Sequence, residues 1–218
     1  ISYMDGEAHA KARQHVLAAF HAIDLVALRE RCNQLLEEMV REIPRKQWLD
    51  LMPALAHPLP LLINSTLMGI PADQHQEVLL QVNPFVRARG LTQTEATARG
   101  GDLAMDTYRH FFVPLIEERR RNPQQDLLGR LVDSSAHGVA MGDEQLLLII
   151  ASNFYSASLY TVPLLISHLV LILSRQPTIV AQLRQDPSLV DSAVEEVLRF
   201  DPPAQAINAS AAIEPIEL

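Results

Sequence analysis

The stretch that decides the fold is residues 143–174, DEQLLLIIASNFYSASLYTVPLLISHLVLILS, which follows Gly142. Its apolar residues cover nearly the whole circumference of a helix instead of forming one stripe. A helix of that kind lies in the middle of a helical domain, where its polar side chains need partners or a cavity. The stretch therefore predicts one long central helix that ends near Ser174.

The segments around this stretch predict further helices. Residues from Ala8 to Ala19 favour helix, and from Asp24 to Ile43 apolar residues recur every three or four positions. Helix is also expected from Leu103 to Arg121, whereas the Arg- and Thr-rich piece from Arg87 to Gly101 is expected to be a mobile loop. Because no internal repeat or linker occurs, residues 1–218 are predicted to form a single all-α (mainly α) domain with a minor β tail.

Charge and cysteine content argue against several classes of protein. The chain of 218 residues carries 18 Lys and Arg against 26 Asp and Glu, and its formal net charge of -8 repels nucleic acid. The single cysteine, Cys32, forms neither an internal disulfide nor a thiolate metal cluster, so the cytoplasm is the expected location. The run from Glu117 to Arg121 is interpreted as a solvated helix end.

Neither a membrane span nor a metal site is expected. Asn153 and Pro163 interrupt the central stretch, and the chain does not open with a signal-peptide pattern. His9, His15 and His21 recur at intervals of six, a spacing that does not place two ligands on one helix face.

The final third of the chain contains an ordered series of short motifs: RQP at 175–177, LRQDP at 183–187 and AVEEVLRFDPP at 193–203. This series resembles the bacterial cytochrome P-450 superfamily, whose Glu-x-x-Arg helix is matched by Glu196 and Arg199. These two residues lie three apart and can pair, and the simpler interpretation of the pair is structural support. In the family a further arginine completes a network with them.

Upstream segments extend the resemblance over nearly the whole chain and imply a cytochrome P-450-like helical core. His9 and Arg13 lie four apart on one helix face, where they form a vestigial haem-propionate or anion site, or simply cover a helix start. The matching segments are Met4-Asp5 with His9, Lys11 and Arg13 for the haem-propionate helix, LMGIP at 67–71 for the family's LLGVP, DLL at 126–128, and IEPIEL at 213–218 for a strand.

The central stretch departs from the family's catalytic pattern, a small Ala-Gly pair followed by an acid and a threonine that relay protons. With Ala151-Ser152 aligned to the small pair, Phe154 takes the position of the family's acid and Tyr155 the position of its threonine. The relay is then lost, and two large rings occupy the distal region. Ser156 replaces the hydroxyl only if the register slips by one.

The haem ligand of the family is also not found. Its chemistry requires a cysteine thiolate on haem iron, and Cys32 does not align with that position. Compared with the family, the chain is shortened at both ends. No cofactor is therefore expected, with haem as the alternative.

Polar residues along the same stretch favour a cavity over a solid core. Tyr155, Asn153 and Ser156 are candidate catalytic hydrogen-bond donors. The residues expected to line a substrate pocket are Ser152, Phe154, Ser158 and Tyr160. Alternatively, Phe154 and Tyr155 are core aromatics.

Three functions stay open. The first is a degenerate, haem-free relative that acts as a cofactor-independent cyclase or isomerase on a hydrophobic small molecule in natural-product biosynthesis. The second is an auxiliary activator of a partner enzyme such as a glycosyltransferase. The third is a fragment of a haem-thiolate monooxygenase that oxidises a hydrophobic substrate. Uncovered apolar faces predict a homodimer or a pathway partner protein in each case.

Overall fold

The computed structural model describes residues 6–44, 47–90, 92–133 and 141–205. Two sequence expectations lie outside these ranges: Met4-Asp5 at the start of the expected haem-propionate helix, and the β tail with its IEPIEL segment at 213–218.

Helices make up most of the described chain, and no strand occurs within it, which confirms the all-α fold. The α-helices are α1 (Gly6–His21), α2 (Leu25–Glu42), α3 (Pro58–Met68), α4 (Gln76–Leu80), α5 (Val82–Arg87), α6 (Glu95–Arg121), α7 (Leu127–Val132), α8 (Asp143–Ile149), α9 (Ala157–Ser174), α10 (Pro177–Gln185) and α11 (Val190–Phe200). Short 3-10 turns cover Ala72–His75 and Pro187–Leu189, and π-helical turns cover Met52–Ala56 and Ile150–Ser156.

The long central helix is present as predicted. Helix α8, the π-helical segment Ile150–Ser156 and α9 follow one another without a break, so Asp143–Ser174 is one helix of 32 residues. Its length and hydropathy would allow it to cross a membrane, but the core helix of a soluble protein meets the same criteria. The first half is largely buried, whereas most of α9 is half-buried or exposed.

Helix α6 packs along the buried half of the central helix. It buries Ala104, Tyr108, Phe112 and Ile116, which recur every four residues and therefore share one helix face. The Phe112 ring meets the Tyr155 ring edge to face, with 4.9 Å between centroids. On the other side, Phe20 of α1 stacks on Phe154 at 5.2 Å. Aromatic contacts thus join α1 and α6 to the π-helical segment.

The prediction of a loop from Arg87 to Gly101 is wrong over the second half of this segment, because α6 begins at Glu95. Thr94 caps this helix: its hydroxyl accepts from the Thr97 amide at 3.2 Å, and the Thr97 hydroxyl accepts from the Thr94 amide at 2.8 Å. A Cβ on Gly101 would lie 2.3 Å from the Ala88 Cβ. Gly101 therefore lets the end of α5 approach α6 closely.

Helix α3 ends at Gly69, which adopts a left-handed conformation with φ of 63°. Arg119 donates to the Gly69 carbonyl at 3.1 Å and to the Asp126 carboxylate at 2.7 Å. Asp126 also caps α7 by accepting from the Gly129 amide at 2.7 Å. The Arg119 and Asp126 side chains are only 10% and 14% exposed. The interpretation of 117–121 as a solvated end is therefore wrong for Arg119, which joins the ends of three helices.

Candidate functional site

The π-helical segment Ile150–Ser156 is held by side chains that bond its backbone carbonyls. Ser156 Oγ donates to the Ala151 carbonyl at 2.7 Å. Asn64 Nδ2, buried on α3, donates to the Phe154 carbonyl at 3.0 Å and to Ser158 Oγ at 2.7 Å, and Ser158 Oγ in turn donates to the Phe154 carbonyl. Asn64 thus ties α3 to the point where the central helix changes from π to α geometry.

Sequence reasoning missed Asn64. The available signal was a lone amide in the apolar segment PLPLLINSTLM at 58–68, because a buried Asn must find hydrogen-bond partners.

The three candidate catalytic residues do not share an open surface. Tyr155 is fully buried, and burial raises the pKa of its hydroxyl above the usual value, so it stays protonated. Ser156 is buried and bonds the helix backbone, while Asn153 is half-buried and accepts from Ser152 Oγ at 2.9 Å. A catalytic role for these residues stays a prediction, and in this packing Tyr155 would first have to become accessible.

The expected pocket-lining residues are divided between the two halves of the helix. Phe154 is buried against Phe20, and Ser158 is half-buried against Asn64. Tyr160, in contrast, is 43% exposed and lies where two open clefts meet. The open part of the central helix therefore begins at α9.

We name the two clefts by their linings. The polar cleft, about 720 Å³, lies between α5, α6 and α9. The apolar cleft, about 440 Å³, lies between α9, the 53–57 region and the residues from 79 to 83. Asn83 and Tyr160 line both. The polar cleft is lined by Asn83, Pro84, Arg87, Ala96, Thr97, Gly100 and Tyr160, and the apolar cleft by Pro53, His57, Leu79, Leu80, Val82, Asn83, Leu159, Tyr160, Pro163 and Leu164.

Helix α9 contains a second match to the family pattern that sequence reasoning missed. Ala157-Ser158-Leu159-Tyr160-Thr161 has the same spacing as the segment from Ala151 to Tyr155, but with a threonine at its end. Thr161 Oγ1 donates to the Ala157 carbonyl at 2.8 Å, and Ala157 is exposed. In this alignment Tyr160 takes the position of the family's acid and Thr161 the position of its threonine. The small residue and the hydroxyl of the pattern then lie on the open half of the helix.

His9 and Arg13 border an open cleft of about 500 Å³ on α1, together with apolar side chains such as Leu17. In the part of the chain that the structure describes, neither side chain takes part in an ion pair or hydrogen bond. An imidazole and a guanidinium one helical turn apart can bind a carboxylate through charge-assisted hydrogen bonds. This donor set, next to apolar surface, fits the propionate and edge of a haem.

Glu196 and Arg199 form a bidentate pair on α11, with N–O distances of 2.7 and 2.8 Å. The Arg199 guanidinium lowers the pKa of the Glu196 carboxyl. Both side chains are more than 60% exposed, so solvent weakens the interaction. The pair can therefore support α11 locally but does not build a buried network within the described residues.

Bacterial cytochrome P450s are the proteins that the chain matches. The putative cytochrome P450 YjiB of Bacillus subtilis is 28% identical, over 94% of this chain and 52% of its own length. The polyketide biosynthesis cytochrome P450 PksS of the same organism is 27% identical, over 94% of this chain and 49% of its own length. The solved structure of ligand-free cytochrome P450 TbtJ1 covers 90% of this chain and 52% of its own, with a TM-score of 0.77 and 27% identity. No protein-family model matches the chain.

The expectation of a haem-free protein without a cofactor is contradicted by these comparisons. The matched proteins are cytochrome P450s, which bind haem, so haem is the cofactor that the comparisons favour. The expectation depended on the lack of a cysteine that aligns with the haem ligand and on placing Phe154 and Tyr155 in the distal region. The structure instead packs these rings between helices, against Phe20 and Phe112. They leave the open half of the central helix clear.

Proposed function

Because the chain resembles bacterial cytochrome P450s in sequence and fold and spans about half the length of those it matches, we propose that it forms the helical half of a haem-thiolate monooxygenase. The substrate would be a hydrophobic small molecule, and a role in natural-product biosynthesis is suggested by the relative PksS, a polyketide biosynthesis cytochrome P450. The cyclase, isomerase and auxiliary interpretations have no support among the matched proteins.

The observation that carries the proposal is the pair His9 and Arg13 on α1. Both side chains border one cleft and are free of ion pairs within the described ranges, so they can hold a haem propionate. When bound through a cysteine thiolate, haem activates oxygen for insertion into a substrate. Burial raises the pKa of the Cys32 thiol, which disfavours a thiolate there, and Cys32 is therefore not assigned as the ligand.

We assign the remaining roles to the open half of the central helix. Ala157 leaves room beside the helix for a flat group, because its side chain is a single methyl. The Thr161 hydroxyl, whose proton is directed to the Ala157 carbonyl, keeps its lone pairs available to accept a hydrogen bond from water or a neighbouring acid. Tyr160 borders the substrate clefts.

The single domain, the cytoplasmic location and the association with a second copy or a pathway protein stay predictions. Large apolar side chains exposed at Trp48 and Phe200, which are 104% and 71% accessible, are the feature that supports association.

The test is the visible spectrum of the natural gene product expressed with a haem precursor. We expect a stoichiometric Soret band with a thiolate-type shift on binding carbon monoxide. Arg13→Gln should weaken haem binding about tenfold, since it removes a charge-assisted hydrogen bond. Arg41→Gln is the matched control, because Arg41 pairs with Glu37 on the exposed surface of α2. A folded protein without a Soret band would overturn the proposal.

A further inference from the structure

Among the residues that the structure describes, the lining of the polar cleft includes one cation, Arg87 of α5, and no acidic side chain. In the part of the chain that the structure describes, the Arg87 side chain makes no ion pair and no hydrogen bond. Its neighbours are engaged differently: Arg89 lies over the Phe85 ring at 3.7 Å, and Arg99 pairs with Glu95 at 2.8 Å. Arg87 is thus an exposed and available guanidinium that lines a cleft of a chain whose net charge is -8.

Two further donors border the same cleft. The Asn83 amide and the Tyr160 hydroxyl make no side-chain hydrogen bond among the described residues, and both line the polar cleft. The Thr97 hydroxyl, in contrast, is occupied at the cap of α6, where it bonds the Thr94 backbone. Arg87, Asn83 and Tyr160 therefore supply the free donors, and an acceptor group with negative charge satisfies them best.

The polar cleft lies next to the apolar cleft, since Asn83 and Tyr160 line both. Most of the residues that line the apolar cleft are apolar, among them Leu79, Leu159 and Leu164. Each volume, about 720 and 440 Å³, lies within the range of small-molecule sites. A ligand that spans both clefts must carry an anionic group at one end and an apolar body at the other.

We propose that the two clefts form one binding site for an amphipathic carboxylic acid, with its carboxylate on Arg87 and its aliphatic body against Leu159 and Leu164. This inference rests on the proposed function, because it names the substrate class of that monooxygenase. Tyr160, which lines both clefts, acts as a specificity-determining residue: its hydroxyl donates to the polar part of the ligand, and its ring contacts the apolar body.

The experiment is calorimetric titration of the natural gene product with decanoate and with decanol, which has the same chain length but no charge. Decanoate should bind at least tenfold more tightly than decanol, and Arg87→Gln should remove that difference. Arg99→Gln is the matched control, because Arg99 lies on the next helix, pairs with Glu95 and does not line either cleft. Tyr160→Phe should weaken decanoate binding severalfold and keep the ring in place.

Several results would overturn the inference: equal affinities for decanoate and decanol, unchanged decanoate binding by the Arg87 variant, or acetate binding as tightly as decanoate. The Soret spectrum of each variant is recorded in parallel. If haem is bound but decanoate binding does not depend on Arg87, this inference fails and the monooxygenase proposal stands. If the unmodified protein takes up no haem, the monooxygenase proposal fails.

Discussion

Gly69→Ala should be among the most destabilising single-methyl additions in this chain. Gly69 has φ of 63°, and a Cβ there would lie 2.1 Å from Asp126 Oδ2 and 2.7 Å from its Cγ. The Asp126 carboxylate is not free to move, because it pairs with Arg119 and caps α7. The added methyl group therefore strains the backbone and displaces a largely buried ion pair at the same time.

The expected loss in the free energy of unfolding is about 5 kcal/mol. A side chain in the left-handed region costs about 1–2 kcal/mol. Loss of the Asp126 cap costs about 1 kcal/mol, and uncoupling a buried ion pair costs about 3 kcal/mol at the lower end of its range. We use that lower end because the two side chains remain 10% and 14% exposed. Such a loss is comparable to the whole stability of a small domain.

The assay is urea unfolding followed by far-ultraviolet circular dichroism. Gly6→Ala is the matched control: Gly6 has nearly the same φ, 61°, but no atom of the described residues lies within 4 Å of an added Cβ. It should lose only the backbone cost, about 1–2 kcal/mol. If the two variants lost the same free energy, the collision with Asp126 would not be the cause, and our account of the Arg119–Asp126–Gly69 junction would be refuted.

Three further substitutions test the packing of α6 and the role of Tyr155. Gly101→Ala should destabilise the protein by about 1–3 kcal/mol in thermal unfolding, because its Cβ would lie 2.3 Å from the Ala88 Cβ. Gly100→Ala is the control, because an added Cβ there would lie 3.9 Å from its nearest neighbour, Pro84. It should stabilise α6 by about 1 kcal/mol. If both alanine variants changed the stability in the same direction, the close approach of α5 to Gly101 would be contradicted. Tyr155→Phe should lower stability by about 1 kcal/mol and leave haem content and turnover unchanged, since the hydroxyl is enclosed. A fall in turnover at unchanged stability would show that Tyr155 is catalytic.

Much of the fold follows from local sequence. The apolar circumference of 143–174 predicts a central helix, and the structure has one helix over Asp143–Ser174. The apolar residues that recur from Asp24 to Ile43 lie on α2. Asp24 caps this helix by accepting hydrogen bonds from the Val26 and Ala27 amides. LMGIP ends α3 because its glycine accepts positive φ without a Cβ penalty. These features depend on periodicity and backbone conformation, both of which are properties of neighbouring residues.

Other features required the tertiary structure. Arg119 belongs to a run of charges that is typical of a solvated helix end, and only the approach of Gly69 and Asp126 buries it. The Arg- and Thr-rich piece from Arg87 to Gly101 predicts a loop, yet in the fold α6 begins at Glu95 and Gly101 allows α5 to pack closely on it. Asn64 is one polar residue in an apolar helix until the carbonyl of Phe154 is placed beside it.

The candidate site shows most clearly which features the sequence determines and which depend on tertiary structure. The sequence alone aligns the family's catalytic pattern with the central helix, but it offers that spacing twice, at 151–155 and at 157–161. Only the packing of Phe20 and Phe112 shows that the first copy is enclosed, while Tyr160 at the second borders open clefts. The physical reason is that spacing along a helix fixes which side chains share a face, whereas the neighbouring helices decide whether that face is buried or open.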